Sequence, residues 1–308
     1  MRVGNEKIIA IFCADIHLSL NAPIWRSAEP DWFEAMKRPL KEIKKLQGEY
    51  NCPVICAGDI FDRWNSPPEL INWAYDNLPK MYAIPGQHDL PLHNYDDIKK
   101  SAYLSLVNAD IIQNLLPGCI IRTGDLIMYN FPYGYKIGPK KDTGGFGKNF
   151  IHIAVVHEYR CIKGKSFPQA PDEAYLRMNE KNLIGYDIIV YGDNHKGFMT
   201  TVNIDSTIFN CGTLMRRKSD EVDYKPWIGL LLESGELKPH YLDIIKDKYL
   251  DVQTKPNEED SLDMKAFIKE LEKLGDTDLD FSEAMKQYLK KNKINTNICN
   301  IIFEAMGL

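Results

Sequence analysis

The chain has 308 residues, 44% of them apolar, which is enough to bury a large core and allows one large domain with a small appendage. A net charge of −5 argues against a generally basic protein that coats nucleic acid. It does not exclude a nuclease, because bound cations cancel site carboxylates and phosphate contacts need only local Lys and Arg.

Met1 to Lys7 has none of the apolar character of a signal peptide, and no later run approaches the ~20 apolar residues of a membrane span. The expectation is a cytoplasmic protein without membrane contact. Seven cysteines without a CxxC pair fit reduced thiols, and Cys52 and Cys56, four apart, read as small core residues.

The Ile-rich run from Lys7 to Ala14 reads as a buried strand. Asp31 reads as a helix N-cap before Trp32, Phe33, Met36, Leu40, Ile43 and Leu46 at helical spacing, with a kink expected at Pro39. The alternation continues with a strand over Pro53 to Ala57, a helix over Pro67 to Leu78, a strand over Lys80 to Ile84 and a helix over Tyr95 to Asn108. Beyond it, Leu126 to Phe131, Ile151 to Val156, Ile188 to Tyr191, Thr207 to Asn210 and Trp227 to Leu232 read as strands, with one helix between Asp172 and Leu183. The fold class expected is α/β, a layered β-sandwich flanked by helices. Residues 1–247 would form the main domain and 248–260 a charged linker. Residues 261–308 would form a small helical or α+β appendage that either caps its own domain or docks a partner.

Five short segments follow apolar runs: Asp15-Ile16-His17, Gly58-Asp59-Ile60-Phe61-Asp62, Gly86-Gln87-His88-Asp89, His157-Glu158 and Gly192-Asp193-Asn194-His195. A DxH or GD pair alone is usually a turn or cap, but five at successive strand ends describe one site assembled from the whole domain. Alternation along a strand puts Asp15 and His17 on one side, able to bind the same ion, and Asp59 after a permissive glycine is the natural bridge. Two cations about 3.5–4 Å apart would supply a nucleophile at neutral pH and charge for the phosphate oxygens, so the chemistry indicated is phosphoester hydrolysis. His152, of opposite parity to His157, reads as structural, as do His93 and His240.

These segments, in this order and at these separations, resemble the calcineurin-like metallophosphoesterase family. The stretch Ala57 to Asp62, followed by Ser66-Pro67-Pro68 and Ile84 to Asp89, is similar to its SbcD branch of DNA repair nucleases; the similarity spans about residues 7 to 215. The resemblance implies Asp15, His17, Asp59 and His195 around one ion and Asp59, Gln87, His157 and Asp193 around the other. It further implies His88 facing the scissile phosphate, Asp89 orienting His88, and Asp62 as a hydrogen-bond partner behind the ligands. The family usually has Asn at Gln87 and His at Asp193. Oxygen donors there favour Mn or Mg over Zn, or leave the second position weak.

The activity that the resemblance implies is that of a DNA exo- or endonuclease, with an SbcC-like ATPase partner and a homodimer formed near Pro67 to Leu78 and Tyr95 to Asn108. Arg216 and Arg217 are candidate phosphate contacts, alongside Lys163, Lys165, Lys136, Lys140, Lys141 and Lys148, and for all six lysines solvated loops are an equal reading. Trp25, Trp64 and Tyr133 read as core packing more readily than as base-stacking platforms. Two other functions stay open: a phosphodiesterase for small substrates, and a binding subunit whose substituted site holds no metal pair.

Overall fold

The computed structural model describes residues 6–140 and 150–250. Lys141, Lys148 and nearly all of the expected linker and appendage therefore lie outside the described residues. The elements run β1 (Ile8–Cys13), α1 (Trp32–Tyr50), β2 (Val54–Cys56), α2 (Pro68–Asn77), β3 (Met81–Ala83), α3 (Ala102–Asn108), β4 (Ile112–Asn114), β5 (Ile120–Thr123) and β6 (Leu126–Phe131). They continue with β7 (Ile151–His157), β8 (Ile188–Gly192), β9 (Phe198–Val202), β10 (Ser206–Asn210), β11 (Trp227–Leu232) and β12 (Leu237–Tyr241).

Two six-stranded sheets result, ordered β12-β11-β1-β2-β3-β4 and β5-β6-β7-β8-β10-β9. Both are mixed. In the first, β1 to β4 are parallel neighbours while β11 pairs antiparallel with β1; in the second, β6, β7, β8 and β10 are parallel and the outer strands β5 and β9 antiparallel.

Strand alternation distributes the apolar residues to both faces of each sheet. On β1, Ile8, Ile11 and Cys13 face the helices, where Met36, Leu40 and Ile43 of α1 and Leu70 and Ala74 of α2 cover them. Ala10 and Phe12 face the second sheet and meet Met128, Val155, Val190 and Phe209. A bulge between Ile8 and Ala10 lets Ile9 and Ala10 pack on the same side, which interrupts strict alternation. The outer face of the second sheet, with Tyr129, Val156, Ile189 and Tyr191, is covered by Ile137, Leu183 and Tyr186 from connecting segments.

Asp31 caps α1 as expected, its carboxylate accepting from the Glu34 amide at 3.0 Å, and Pro39 lies inside the helix. Cys52 and Cys56 are both buried in the helix-facing core, and the six cysteines among the described residues are free thiols. Two expected helices take other forms. Tyr95 to Asn108 is a 3-10 turn over Tyr95–Lys100 followed by α3, because Ser101 is extended and its hydroxyl starts a new helix by capping Leu104. Asp172 to Leu183 holds only the 3-10 turns Asp172–Ala174 and Lys181–Leu183. At the far end the chain stays attached through Leu250, whose amide donates to the Trp25 carbonyl at 3.1 Å. Among the described residues no helix is long and apolar enough to cross a membrane.

Candidate metal centre

Each of the five segments begins where a parallel strand ends, so the loops gather at the carboxyl ends of both sheets. From the first sheet come Asp15 and His17 after β1, Asp59 after β2, and Gln87 and His88 after β3; from the second come His157 at the end of β7 and Asp193 and His195 after β8. The loops after β1 and β2 are zipped together: the amides of Asp15 and His17 donate to the carbonyls of Gly58 and Asp59, each at 3.0 Å. That ladder holds Asp15, His17 and Asp59 at φ 51°, 49° and 54°, a left-handed backbone that costs non-glycine residues about 1–2 kcal/mol each. Gly86 is required by contact: a Cβ there would lie 2.1 Å from Asp59 Oδ1.

The side chains converge. His17 Nε2 and His195 Nε2 are 3.0 Å apart, and His17 Nε2 is 3.7 Å from Asp59 Oδ2. Asp59 Oδ2 is 3.4 Å from His157 Nε2, while Asp59 Oδ1 accepts from the His88 amide at 2.9 Å. Ligand atoms of Asp15, His17 and His195 lie within 4.8 Å of one another, as do those of Asp15, Asp59 and His157. Asp15 belongs to both clusters and Asp59 reaches from the second to His17 of the first, while Asp193 with Gln87 closes the second side, Gln87 Nε2 reaching Asp193 Oδ1 at 3.4 Å.

His157 supplies the test of whether these residues fit cations. Its Nδ1 is 2.7 Å from the Ala57 carbonyl, which can only accept, so Nδ1 carries the proton and neutral His157 presents an Nε2 lone pair. That lone pair faces Asp59 Oδ2, and both atoms are buried with no hydrogen-bond partner. Two acceptors facing each other in a buried site need either a proton or a cation between them, which is the competition expected at a metal position. A divalent cation held by Asp59 and His157 would supply that positive charge.

The electrostatics show the same demand. Burial pushes the Asp15 carboxyl up to about 7, against the nearby His195 and His157. Burial also raises Asp193 and depresses His17. Burial would lower His157, yet the Asp59 charge holds it well above its ordinary range, and burial would raise Asp59, yet His157 and His17 hold it below the carboxylate range. His195 is raised in spite of burial by the neighbouring carboxylates of Glu221 and Asp15.

The roles of the remaining residues divide. His88 Nδ1 lies 2.9 Å from the Asp62 carbonyl, which fixes its tautomer and leaves Nε2 for the cleft that His88 lines. Asp89 does not orient His88: its buried carboxylate accepts from the amides of Ile60, Phe61 and Gly86 and pins the β2 and β3 loops together. Asp62 sits behind the ligands, 3.7 Å from His17 Nδ1, and accepts from Arg217 Nη1 at 2.9 Å. Arg216 is not a phosphate contact in this arrangement. Its buried guanidinium is occupied by Asp247 and the carbonyls of Val222 and Ile244, because the segment at residues 243–250 packs over it.

Lys165 lines the cleft beside the centre, Lys163 is not among the residues lining it, and Lys136 is paired with Glu158 at 2.6 Å. His152 is held by Tyr129 and His240 by Glu42, as structural residues. His93, also expected to be structural, steadies the ligand loop through the Gln87 carbonyl at 2.9 Å. Glu221, 3.8 Å from His195 Nδ1, carries no spacing that would mark it in the sequence, and Asn194, which lies inside the fifth segment, clamps the carbonyls of Arg160 and Lys165, a role its position there does not reveal.

The calcineurin-like phosphoesterase profile matches residues 10–197, which contain every segment above. No curated protein sequence matches the chain. Among solved structures, the chain is similar to a metallophosphoesterase from Sphaerobacter thermophilus at 12% identity, covering 77% of this chain and 88% of that one with a TM-score of 0.35. It is also similar to a 5'-nucleotidase precursor from Thermus thermophilus at 12% identity, covering 76% and 54% with a TM-score of 0.43.

Proposed function

The chain belongs to the calcineurin-like phosphoesterase family, and from that premise we propose that this metal-dependent phosphoesterase cleaves phosphodiester bonds in DNA, as an exo- or endonuclease of the SbcD type. The observation that carries the diester reading is room on both sides of the centre. A cleft of about 530 Å³ and a second of about 430 Å³ share Asp193 and Tyr159 in their walls. A polymer continues on either side of its scissile phosphate, whereas a terminal monoester needs one cleft.

Bound cations would supply an activated water and charge for the phosphate oxygens. Asp15, His17, Asp59 and His195 would hold one, and Asp59, Gln87, His157 and Asp193 the other, with Asp15 also within reach of the second group. The oxygen donors of Gln87 and Asp193 favour Mn over Zn. His88, its Nδ1 proton directed to the Asp62 carbonyl, presents Nε2 to the cleft, where in the imidazolium form it would carry a second proton to stabilise charge or to give to the leaving oxygen. The reading extends to an SbcC-like ATPase subunit and a homodimer through α2 and α3, where Tyr75 stands half exposed.

The test compares single-stranded, blunt and nicked DNA with a small phosphodiester, under Mn and under Zn. Cleavage of DNA with Mn is expected, with His88→Ala lowering kcat by about 10²–10⁴-fold while metal content is kept. Asp59→Ala should lose both metal and activity. Hydrolysis confined to the small ester would replace DNA by a small substrate, and a wild-type protein that takes up no divalent metal would make the chain a binding subunit.

A further inference from the structure

The segment between β7 and β8 is built onto the ligand loop. Asn194, between the ligands Asp193 and His195, donates through Nδ2 to the carbonyls of Arg160 and Lys165 at 2.9 and 2.8 Å. Lys196 Nζ donates to the Ser166 carbonyl at 3.1 Å, and Tyr175 Oη donates to Ser166 Oγ at 2.9 Å. The Phe167 amide donates to Tyr159 Oη at 3.0 Å, and the two rings lie 4.8 Å apart. Residues 164–168 are thus fixed relative to the metal ligands from several directions.

This fixed segment presents an aromatic ring to the cleft. Phe167 is 46% exposed, although it lies in the wall of the 530 Å³ cleft that also contains His88 and His195. Lys165 and Lys218 line the same cleft, and no ion pair or hydrogen bond engages either ammonium group among the described residues. Glu221, also in the wall, is occupied by the amides of Arg217 and Lys218. An exposed ring held rigid costs little ordering on contact, and two unpaired cations beside it match a phosphate.

We propose that Phe167, backed by Tyr159, is a stacking platform for an unpaired nucleobase next to the scissile phosphate, with Lys165 and Lys218 holding the adjoining backbone phosphate. The proposal rests on the nucleic-acid reading above and narrows its substrate to a strand whose terminal or flanking base is free of the duplex. Residues 164–168 are then specificity determinants and take no part in the chemical step.

The experiment uses the full chain loaded with Mn and a single-stranded oligonucleotide carrying 2-aminopurine, whose fluorescence is quenched by stacking. Wild type should quench the probe. Phe167→Ala should abolish the quench and weaken binding by between about 5- and 150-fold, the range associated with one stacked base, while Phe167→Trp keeps both. An abasic residue in place of the probe should bind wild type and Phe167→Ala equally. Unchanged quenching in Phe167→Ala overturns the proposal, as does an equal loss on the abasic strand, which would make Phe167 a packing residue. Failure of wild type to bind the oligonucleotide also overturns it, and hydrolysis of a small diester by the same sample would show that the phosphoesterase centre still stands.

Discussion

Gly86 shows how strictly one residue can be set by the centre. A methyl group there would meet Asp59 Oδ1 at 2.1 Å and the Asp59 amide at 2.5 Å, and neither is the movable end of a long side chain. Gly86→Ala must therefore push the shared carboxylate out of place. The expected loss is about 1–3 kcal/mol in stability, as for overpacking, and about 10- to 100-fold in Mn affinity, as for displaced support behind a ligand. Urea unfolding and calorimetric Mn titration read the two effects. Gly48, in α1 with nothing within 4 Å of its added Cβ, is the matched control, and its alanine variant should gain about 0.5–1 kcal/mol instead. Equal behaviour of the two variants would remove the steric account. Asp15, His17, Asp59, His157 and His195 are legible in the sequence because their chemistry and their place at strand ends coincide. Glu221 is not, since an isolated Glu in a loop has no pattern until the fold brings it against a ligand, and the motif that contains Asn194 does not disclose that its amide clamps the loop after β7.

At the scale of elements, the segment after β12 is held to α1 by charge. Glu29 accepts from Arg26, Arg38 and the Lys248 amide, and Asp247 accepts from Arg38 and Arg216. Burial alone would raise the Glu29 carboxyl, but the hydrogen bonds from Arg38 and Arg26 hold it below its ordinary value. A depressed carboxyl contributes stability above its unfolded pKa and loses it as pH falls through the folded one. Glu29→Gln leaves buried Arg26 with Asp247, 3.1 Å away, as its remaining carboxylate, and should cost about 1.5–3 kcal/mol at neutral pH, the range for hydrogen bonds to a charged group. The variant's stability should also fall less steeply on acidification than that of wild type. A parallel acid limb in both proteins would show that Glu29 does not carry the dependence.

Strand and helix assignments divide along similar physical lines. β6 and β11, continuous apolar runs buried on both faces, match their sequence boundaries. The strands that sequence patterning does not reveal, β4, β5, β9 and β12, are short or half exposed and β12 contains Pro239, so edge position rather than hydrophobicity defines them. Between Asp172 and Leu183, Leu176 and Leu183 are seven apart as on one helix face, but both are apolar because they cover the outer face of the second sheet.

For the whole molecule, the decisive fact is that ligands come from both sheets. Asp15 and Asp59 belong to the first and His157, Asp193 and His195 to the second, so cations bound among them join the two layers at one edge. Anything that binds the folded state and not the unfolded one stabilises it, by about 2.7 kcal/mol at a hundredfold excess over Kd. Protons compete for the same positions. Asp15, raised by burial from 3.8 to about 7, binds a proton in the folded state that the unfolded chain has already released. His157, raised above 6.5 by Asp59 against its burial, does likewise. A group with a raised folded pKa stabilises below its unfolded value and loses that contribution as pH climbs through the folded one, so the metal-free protein should weaken between roughly pH 4 and pH 8. Cations replace those protons, and their stabilising effect should grow over the same interval. Thermal unfolding with Mn and with EDTA, at about pH 6 and about pH 8, checks this: Mn should raise Tm by roughly 5–10 °C at the higher pH and by less at the lower. A larger shift at the lower pH, or none at either, would mean that Asp15 and His157 do not share their protons' places with a cation.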